Sequence, residues 1–315
     1  MPRSANLVHY TTVAGAFGIL ETDSLYATNA FFLNDTSEIV HARHVISDAL
    51  IKRLAEITKT KLDEGKRASD LMFGCFALCD LCFDEDDEKH SYDRFVPFVV
   101  CFCKSTPETY KDGLLSQWRG YGSSAAVALE FDGLKLSALL EQQHFQEQLG
   151  PAELEHVEYF DQKHSHRRMV QSAIRKLNPA LADVSSYFRS KRLTFNRLLD
   201  WYYTKARGMR LQAQMLRFAC FVKNSSFKEE QEVRLAVYIA DNEPKNRILH
   251  RMRGSSLIPY IAISAVSGGR LPIRRILIGP QKDQQRLKRA FESVVRSKSI
   301  NSIVVDVSGI PLQSL

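Results

Sequence analysis

Segments with strand character crowd the two ends of this 315-residue chain, whereas the stretch from about 133 to 222 is mainly helical in pattern. No other feature restricts the fold as much. Chains that alternate strand and helix throughout build parallel sheets, and chains that segregate them build α+β folds. The distribution predicts an α+β fold, a sheet core carrying a large helical insertion at about 133–222, within one domain spanning 1–315.

The leading strands are read at 6–12 (NLVHYTT) and 24–29 (SLYATN), with a short amphipathic helix between them at 13–21. Residues 31–38 form a loop that caps a helix. Thr36, Ser37 and Glu38 suit an N-terminus, and Ile39, Ala42, Ile46, Ala49, Leu50 and Ile57 follow at helical spacing. An acidic loop at 84–88 precedes the apolar strand 95–103, and 114–122 (LLSQWRGYG) reads as a turn before the strand 125–131. One short strand, 154–160, interrupts the helical middle. Strands return at 231–239, 258–264, 274–279 and 302–308, and Leu287, Ala290, Phe291, Val294 and Val295 mark a late amphipathic helix.

The stretch SSFKEEQEVRLAV, 225–237, puts Glu229, Glu230, Glu232 and Arg234 inside what reads as a strand. Successive side chains of an extended chain point to opposite faces. Lys228, Glu230, Glu232 and Arg234 then share a polar stripe, which is either solvated surface or the wall of a cleft. Two carboxylates on one face suit a reaction that builds positive charge on a sugar ring, one stabilising the developing cation and the other orienting the nucleophile. Arg234 would then flank the pair, or simply neutralise it.

Charge is unevenly spread. From Lys163 to Arg217 there are thirteen Lys/Arg against two acids, Asp183 and Asp200, a local balance of +11 that leaves −4 for the rest of a chain whose total is +7. Such a basic block, 163–217, is either a solvated helical face or a surface for a polyanion such as DNA or RNA. The opening MPRSANLVHYTT lacks an apolar leader region and no apolar run reaches the roughly 20 residues that span a bilayer, so a cytoplasmic protein with no membrane segment is expected. Its six cysteines, in mostly apolar surroundings, read as reduced thiols. Their spacing does not match paired zinc knuckles, and His164 and His166 have no further ligand at binding spacing, so no metal is expected. The phosphate loop GxxxxGK[ST], the dinucleotide fingerprint GxGxxG and the hydrolase elbow GxSxG are all absent.

Two further groups carry polar chemistry. His9 and Thr11, two apart on the first strand, share a face and leave the Tyr10 backbone between them. Trp118, Arg119 and Tyr121 place two aromatics and a guanidinium in a glycine-containing turn, able to stack on a heterocycle and to hold a phosphate.

Taken in order, LVHYTT, GILETDSLYATNAFFLNDTSE, LSQWRGYG, FKEEQEVRL, ILIGP and VSGIPL resemble a bacterial family of uncharacterised domains related to the ADP-ribosyltransferases, over roughly 6–312. The resemblance implies a split, mostly antiparallel sheet that grips NAD. His9 would bond the adenosine-side ribose, and Thr11 would lie beside the nicotinamide. Tyr121, or alternatively Trp118, would stack on that ring, and Tyr10 would offer its backbone. Glu232 would be the catalytic carboxylate on the nicotinamide ribose, and Glu230 would orient the acceptor. Arg119 as a pyrophosphate contact is an inference from its chemistry. The function so implied is an NAD-consuming mono-ADP-ribosyltransferase in a toxin or phage-defence setting, acting on nucleic acid or on a protein acceptor. The alternative is an inactive transferase fold that binds nucleotide or nucleic acid.

Overall fold

The computed structural model describes residues 6–33, 37–62, 65–83, 95–121, 126–141, 152–161, 165–189, 191–240, 247–265, 269–300 and 302–311. The acidic loop 84–88, Thr36, His164 and the side chain of Tyr121 lie outside the described residues.

The chain begins with β1 (Leu7–Thr12), α1 (Val13–Thr22) and β2 (Ser24–Asn29), close to the sequence reading. Thr12 ends β1 and caps α1, its hydroxyl accepting from the Gly15 amide, and Asp23 closes the helix in the left-handed region at φ 48°. Next come α2 (Ser37–Thr58), α3 (Lys66–Phe83), β3 (Phe95–Lys104), the one-turn α4 (Pro107–Tyr110), α5 (Leu115–Tyr121) and β4 (Ala126–Phe131). The LSQWRGY stretch is thus a helix, where a glycine-containing turn was expected. Its first turn is anchored by the Trp118 amide donating to Leu114.

The middle of the chain supplies α6 (Gly133–Leu140), β5 (Ala152–His156), β6 (Glu158–Phe160), α7 (His166–Leu177), α8 (Val184–Tyr187), α9 (Phe195–Tyr203) and α10 (Lys205–Cys220). The single strand read at 154–160 is two, broken at Val157. After β7 (Val222–Asn224), residues Ser225–Glu230 form a 3-10 helix, and only then does β8 (Glu232–Ala240) begin. The final elements are β9 (Leu249–Arg253), β10 (Ser256–Ser264), β11 (Ile273–Ile278), α11 (Gln284–Ser297) and β12 (Val304–Val307). β9 was not anticipated, because LHRMR has neither alternation nor an apolar face.

The architecture is α+β. Ten strands form one mostly antiparallel sheet in the order β12-β11-β4-β1-β3-β2-β10-β9, with β8 and then β5 branching from β3. β11–β12 and the separate β6–β7 pair are parallel. β8 lies along nearly all of one edge of β3, from Phe95 opposite Ala240 to Cys103 opposite Glu232. The other edge of β3 is shared: β1 pairs at Cys103 and Lys104, and β2 at Phe98 and Val99. Between those contacts the sheet forks.

One face of the sheet packs Phe98, Val100, Phe102, Val233, Leu235 and Val237 against α1, α6 and α11. On the other, α2, α3, α7, α9 and α10 form a helical layer over Val99, Ala236 and Tyr238. That layer combines the insertion with two helices upstream of it. Further along the same face, α5 covers Val8, Tyr10, Cys103 and Ala128 through Trp118. Gly279, in the ILIGP segment, lets this happen, since a Cβ there would sit 2.7 Å from the Trp118 ring and 2.8 Å from the Ala126 carbonyl oxygen.

Candidate functional site

The helical layer and α5 leave a gap between them over the C-terminal end of β3, and the acidic residues fall there. Along β8, Val233, Leu235 and Val237 take the apolar face, so Glu232 and Arg234 must take the other, beside Cys103 and Cys101 of β3. Glu230 reaches the same place differently. The 3-10 helix ends at Gln231, whose φ of 41° turns the chain so that Glu230 folds back toward Glu232.

The result is a network of five charged side chains, four of them buried and Lys223 half-buried. Arg234 donates through Nε to Glu232 Oε1 at 2.7 Å, through Nη1 to the Cys220 carbonyl at 2.9 Å, and through Nη2 to Glu38 Oε2 at 2.7 Å. Lys223 Nζ donates to Glu230 Oε2 and to Glu232 Oε2, each at 2.7 Å, and lies 3.7 Å from Glu38 Oε1. Tyr159 accepts from the Glu232 amide at 2.7 Å. Glu38, Glu230, Glu232 and Arg234 are buried. Three carboxylates thus share two cations.

Their environments differ. Burial alone would raise the carboxyl of Glu232, but Arg234 and Lys223 outweigh it and hold the group ionised, down at about 2. Burial wins at Glu230, whose carboxyl is raised although Lys223 works against the shift. Burial also raises Glu38, against the pull of Arg234 and Lys223. Glu230 accepts one hydrogen bond from protein among the described residues, whereas both oxygens of Glu232 are engaged.

The network forms the floor of a cavity of about 380 Å³, walled by Val8 and Tyr10 of β1, Ser116, Gln117 and Gly120 of α5, and Ser226, Phe227 and Glu229 of the 3-10 helix. That volume is in the range of small-ligand sites. Phe227 is partly exposed at this wall, with Lys223 Nζ 4.9 Å from its ring centre.

Of the residues singled out in the sequence, the cavity gathers Tyr10, Glu229, Glu230, Glu232 and Arg234. The Tyr10 ring lines it, and the Tyr10 hydroxyl accepts from the Leu114 amide at 2.8 Å. Trp118 is packed into the core, edge-on to Tyr10 with ring centres 4.8 Å apart, and its Nε1 donates to the Asp112 carbonyl at 2.8 Å, so it anchors α5. Arg119 is exposed and is not among the lining residues.

His9 and Thr11 alternate with Val8 and Tyr10, and so project from the other face of β1. The His9 ring meets Phe102 edge-on and its Nδ1 is 2.8 Å from the Cys101 carbonyl, occupying the fork between β1 and β2. Burial lowers its pKa, the Cys101 hydrogen bond opposes this, and Arg251 adds to the lowering. Glu232 also touches Cys101, by a hydrogen bond with its thiol. Imidazole and carboxylate therefore bracket one residue from opposite faces of β3, where a shared crevice was expected.

Sequence reasoning missed Glu38, Lys223 and Phe227 as site members. Glu38 reads as an ordinary first-turn acid of α2, and nothing local shows that Arg234 waits for it across the fold. Among the described residues no group of three or more His, Cys, Asp or Glu is arranged to hold a metal ion, and no helix is long and apolar enough to cross a membrane.

Residues 117–235 match the family model described as "Protein of unknown function (DUF2971)". The matched span takes in α5 from Gln117 onward, Lys223, Glu230, Glu232 and Arg234, and leaves out β1, Ser116 and Glu38. No curated protein and no solved structure matches the chain.

Proposed function

We propose that this chain is an NAD-consuming mono-ADP-ribosyltransferase. The observation that carries the reading is the placing of two neighbouring carboxyls in one cavity with opposite shifts, Glu232 held down by Arg234 and Lys223 and Glu230 raised by burial. Paired carboxyls pushed apart in this way divide electrostatic stabilisation from proton transfer. In the proposed reaction the bond between the ribose anomeric carbon and nicotinamide breaks, and nicotinamide leaves with the bonding electrons. Glu232 stabilises the oxocarbenium-like centre. The acceptor attacks that carbon and gives up its proton to Glu230. The fork along β3 supports the reading, since the resemblance implies a split sheet, and Phe227 adds an aromatic ring to the cavity wall beside the glutamates.

The test is incubation of purified protein with NAD while free nicotinamide and label transfer to host lysate are followed. Glu232→Gln should lower nicotinamide release by roughly 10²–10³-fold, the usual loss for one preorganised electrostatic group. Glu230→Gln should suppress transfer more than NAD binding. Identifying the labelled product distinguishes nucleic acid from a protein acceptor, and a toxin or phage-defence role would rest on that identity.

One observation favours a second reading, an inactive module that binds nucleotide. Both oxygens of Glu232 are already engaged by Arg234 and Lys223, so a ribose hydroxyl must compete for them. Measurable NAD binding without nicotinamide release or transfer would decide for that reading.

A further inference from the structure

The outward side of α7 carries charge of one sign. Its sequence, HRRMVQSAIRKL, holds no acid. Met169, Val170, Ala173 and Leu177 are buried in the helical layer, where α7 packs on α2 and α10. Arg167, Arg168, Gln171 and Arg175 are exposed. With about 3.6 residues per turn, these four fall within an arc of about 100°, on the side of the helix away from the buried four.

The arginines of that row have no partner within the fold. None of the three forms an ion pair or a side-chain hydrogen bond among the described residues, whereas Lys176 pairs with Glu158, Arg207 with Asp183, and Arg217 with Glu153 and Glu155. The basic block therefore divides into cations tied within the fold and a row left facing solvent. Two acids of α2 come to the ends of α7, and both are engaged elsewhere. Asp48 Oδ2 lies 2.8 Å from His166 Nε2, and Glu56 Oε2 accepts from Arg53 at 3.0 Å. Arg53 in turn donates through Nε to Asn178, the C-terminal cap of α7, at 2.7 Å. Neither acid pairs with the row.

We infer that this face of α7 binds double-stranded DNA through its phosphate backbone, with Arg167, Arg168 and Arg175 each on a phosphate. The planar fork of arginine matches phosphate oxygens. From Arg167 to Arg175 the row runs about 12 Å along the helix axis, comparable with the roughly 12 Å width of the major groove. A packed helix holds its cations at fixed spacing, which suits the fixed phosphates of a duplex better than those of a flexible strand. No aromatic side chain is exposed on α7 to stack on unpaired bases, and no apolar one to enter a bilayer. The inference does not depend on the transferase reading, since none of these residues lines the acidic cavity.

The experiment is fluorescence anisotropy of the full chain with a short labelled DNA duplex over a range of salt concentrations. Affinity should fall steeply as salt rises. Unlabelled duplexes of different sequence should compete equally, because phosphates carry no sequence. The corresponding single strand and phosphatidylserine vesicles should compete less well. Arg168→Gln/Arg175→Gln should weaken binding to every duplex and reduce the log–log salt slope by about two, close to one for each lost phosphate contact. Gln171→Glu sets a carboxylate at i, i+4 spacing from both Arg167 and Arg175, and should weaken binding while removing no cation. As a control, Arg286→Gln/Arg289→Gln removes the same charge from exposed positions of α11 and should leave the slope unchanged. All these positions are at the surface, and unchanged circular dichroism would confirm folding. Absence of binding, preference for one sequence, better competition by single strand or vesicles, equal loss in the α11 control, or indifference to both α7 variants would each overturn the inference.

Discussion

Arg234 and Glu38 meet at 2.7 Å through the guanidinium Nη2, which also reaches Glu232 Oε2 at 3.2 Å. One side chain thereby fastens the first turn of α2 to the start of β8. The contact joins the helical layer to the sheet at the floor of the cavity.

Removing that cation leaves buried carboxylates without their partner. Arg234→Met should destabilise the fold by about 3–5 kcal/mol, the usual cost of stripping one member from a buried ion pair. Glu38→Gln, which keeps a hydrogen-bond acceptor, should cost less. Urea denaturation of the two variants checks the order, and equal stabilities would contradict it.

The carboxyls give opposing pH dependences. Glu232 is at about 2 in the fold against an ordinary 4.5, so its contribution to stability is complete above 4.5 and is lost as pH falls toward 2. Glu230 is raised above 4.5, so the folded chain holds that proton longer and stability is lost as pH rises past 4.5. Relative to wild type, Glu230→Gln should therefore gain stability between acid and neutral pH. Glu232→Gln should fall behind as pH climbs from 2 to 4.5 and stay level above that. Denaturation midpoints across this range measure both trends.

Gly279 has no room for a methyl group, because Trp118 and the Ala126 carbonyl stand on either side of it. Gly279→Ala should cost about 1–3 kcal/mol through overpacking. The Gly279 backbone is tightly held, with its amide donating to Ala126 at 2.9 Å. A thermal melt that leaves the midpoint unchanged would show that α5 can shift to make space.

Tyr10→Phe keeps the ring that lines the cavity and removes the acceptor for the Leu114 amide. The expected loss is about 1–3 kcal/mol, typical of a donor left unpaired in a protected place. Intrinsic fluorescence of Trp118, which packs on the Tyr10 ring, should report any accompanying shift of α5.

The strand ends and helical middle were legible because period-2 and period-3.6 patterns are local. β1, β2, β3, β4 and β11 lie within a residue or two of where alternation and apolar runs place them. Glu232 and Arg234 were legible for the same reason. Glu230 was assigned to their face by extending the strand backwards, and it arrives there instead through the left-handed turn at Gln231. Glu38 and Lys223 were not legible, since their place in the network is created by tertiary contacts. β9 escaped notice because an exposed edge strand carries no burial pattern. The expected single crevice for His9 and Glu232 failed for a geometric reason: His9 belongs to the odd-numbered face of β1, and Val8 and Tyr10 belong to the face that meets the glutamates.

The end of the chain has a hold on the cavity that no lining residue reveals. Ser308 Oγ donates to the Asp112 carbonyl at 2.6 Å, and the Gly309 amide donates to Asp112 Oδ1 at 2.7 Å. The same carbonyl receives the Trp118 indole, so the tail braces the segment that leads into α5. Trimming the chain just after β12 would remove that brace, and the approach to α5 would be held less firmly around a pocket whose every wall residue was still present.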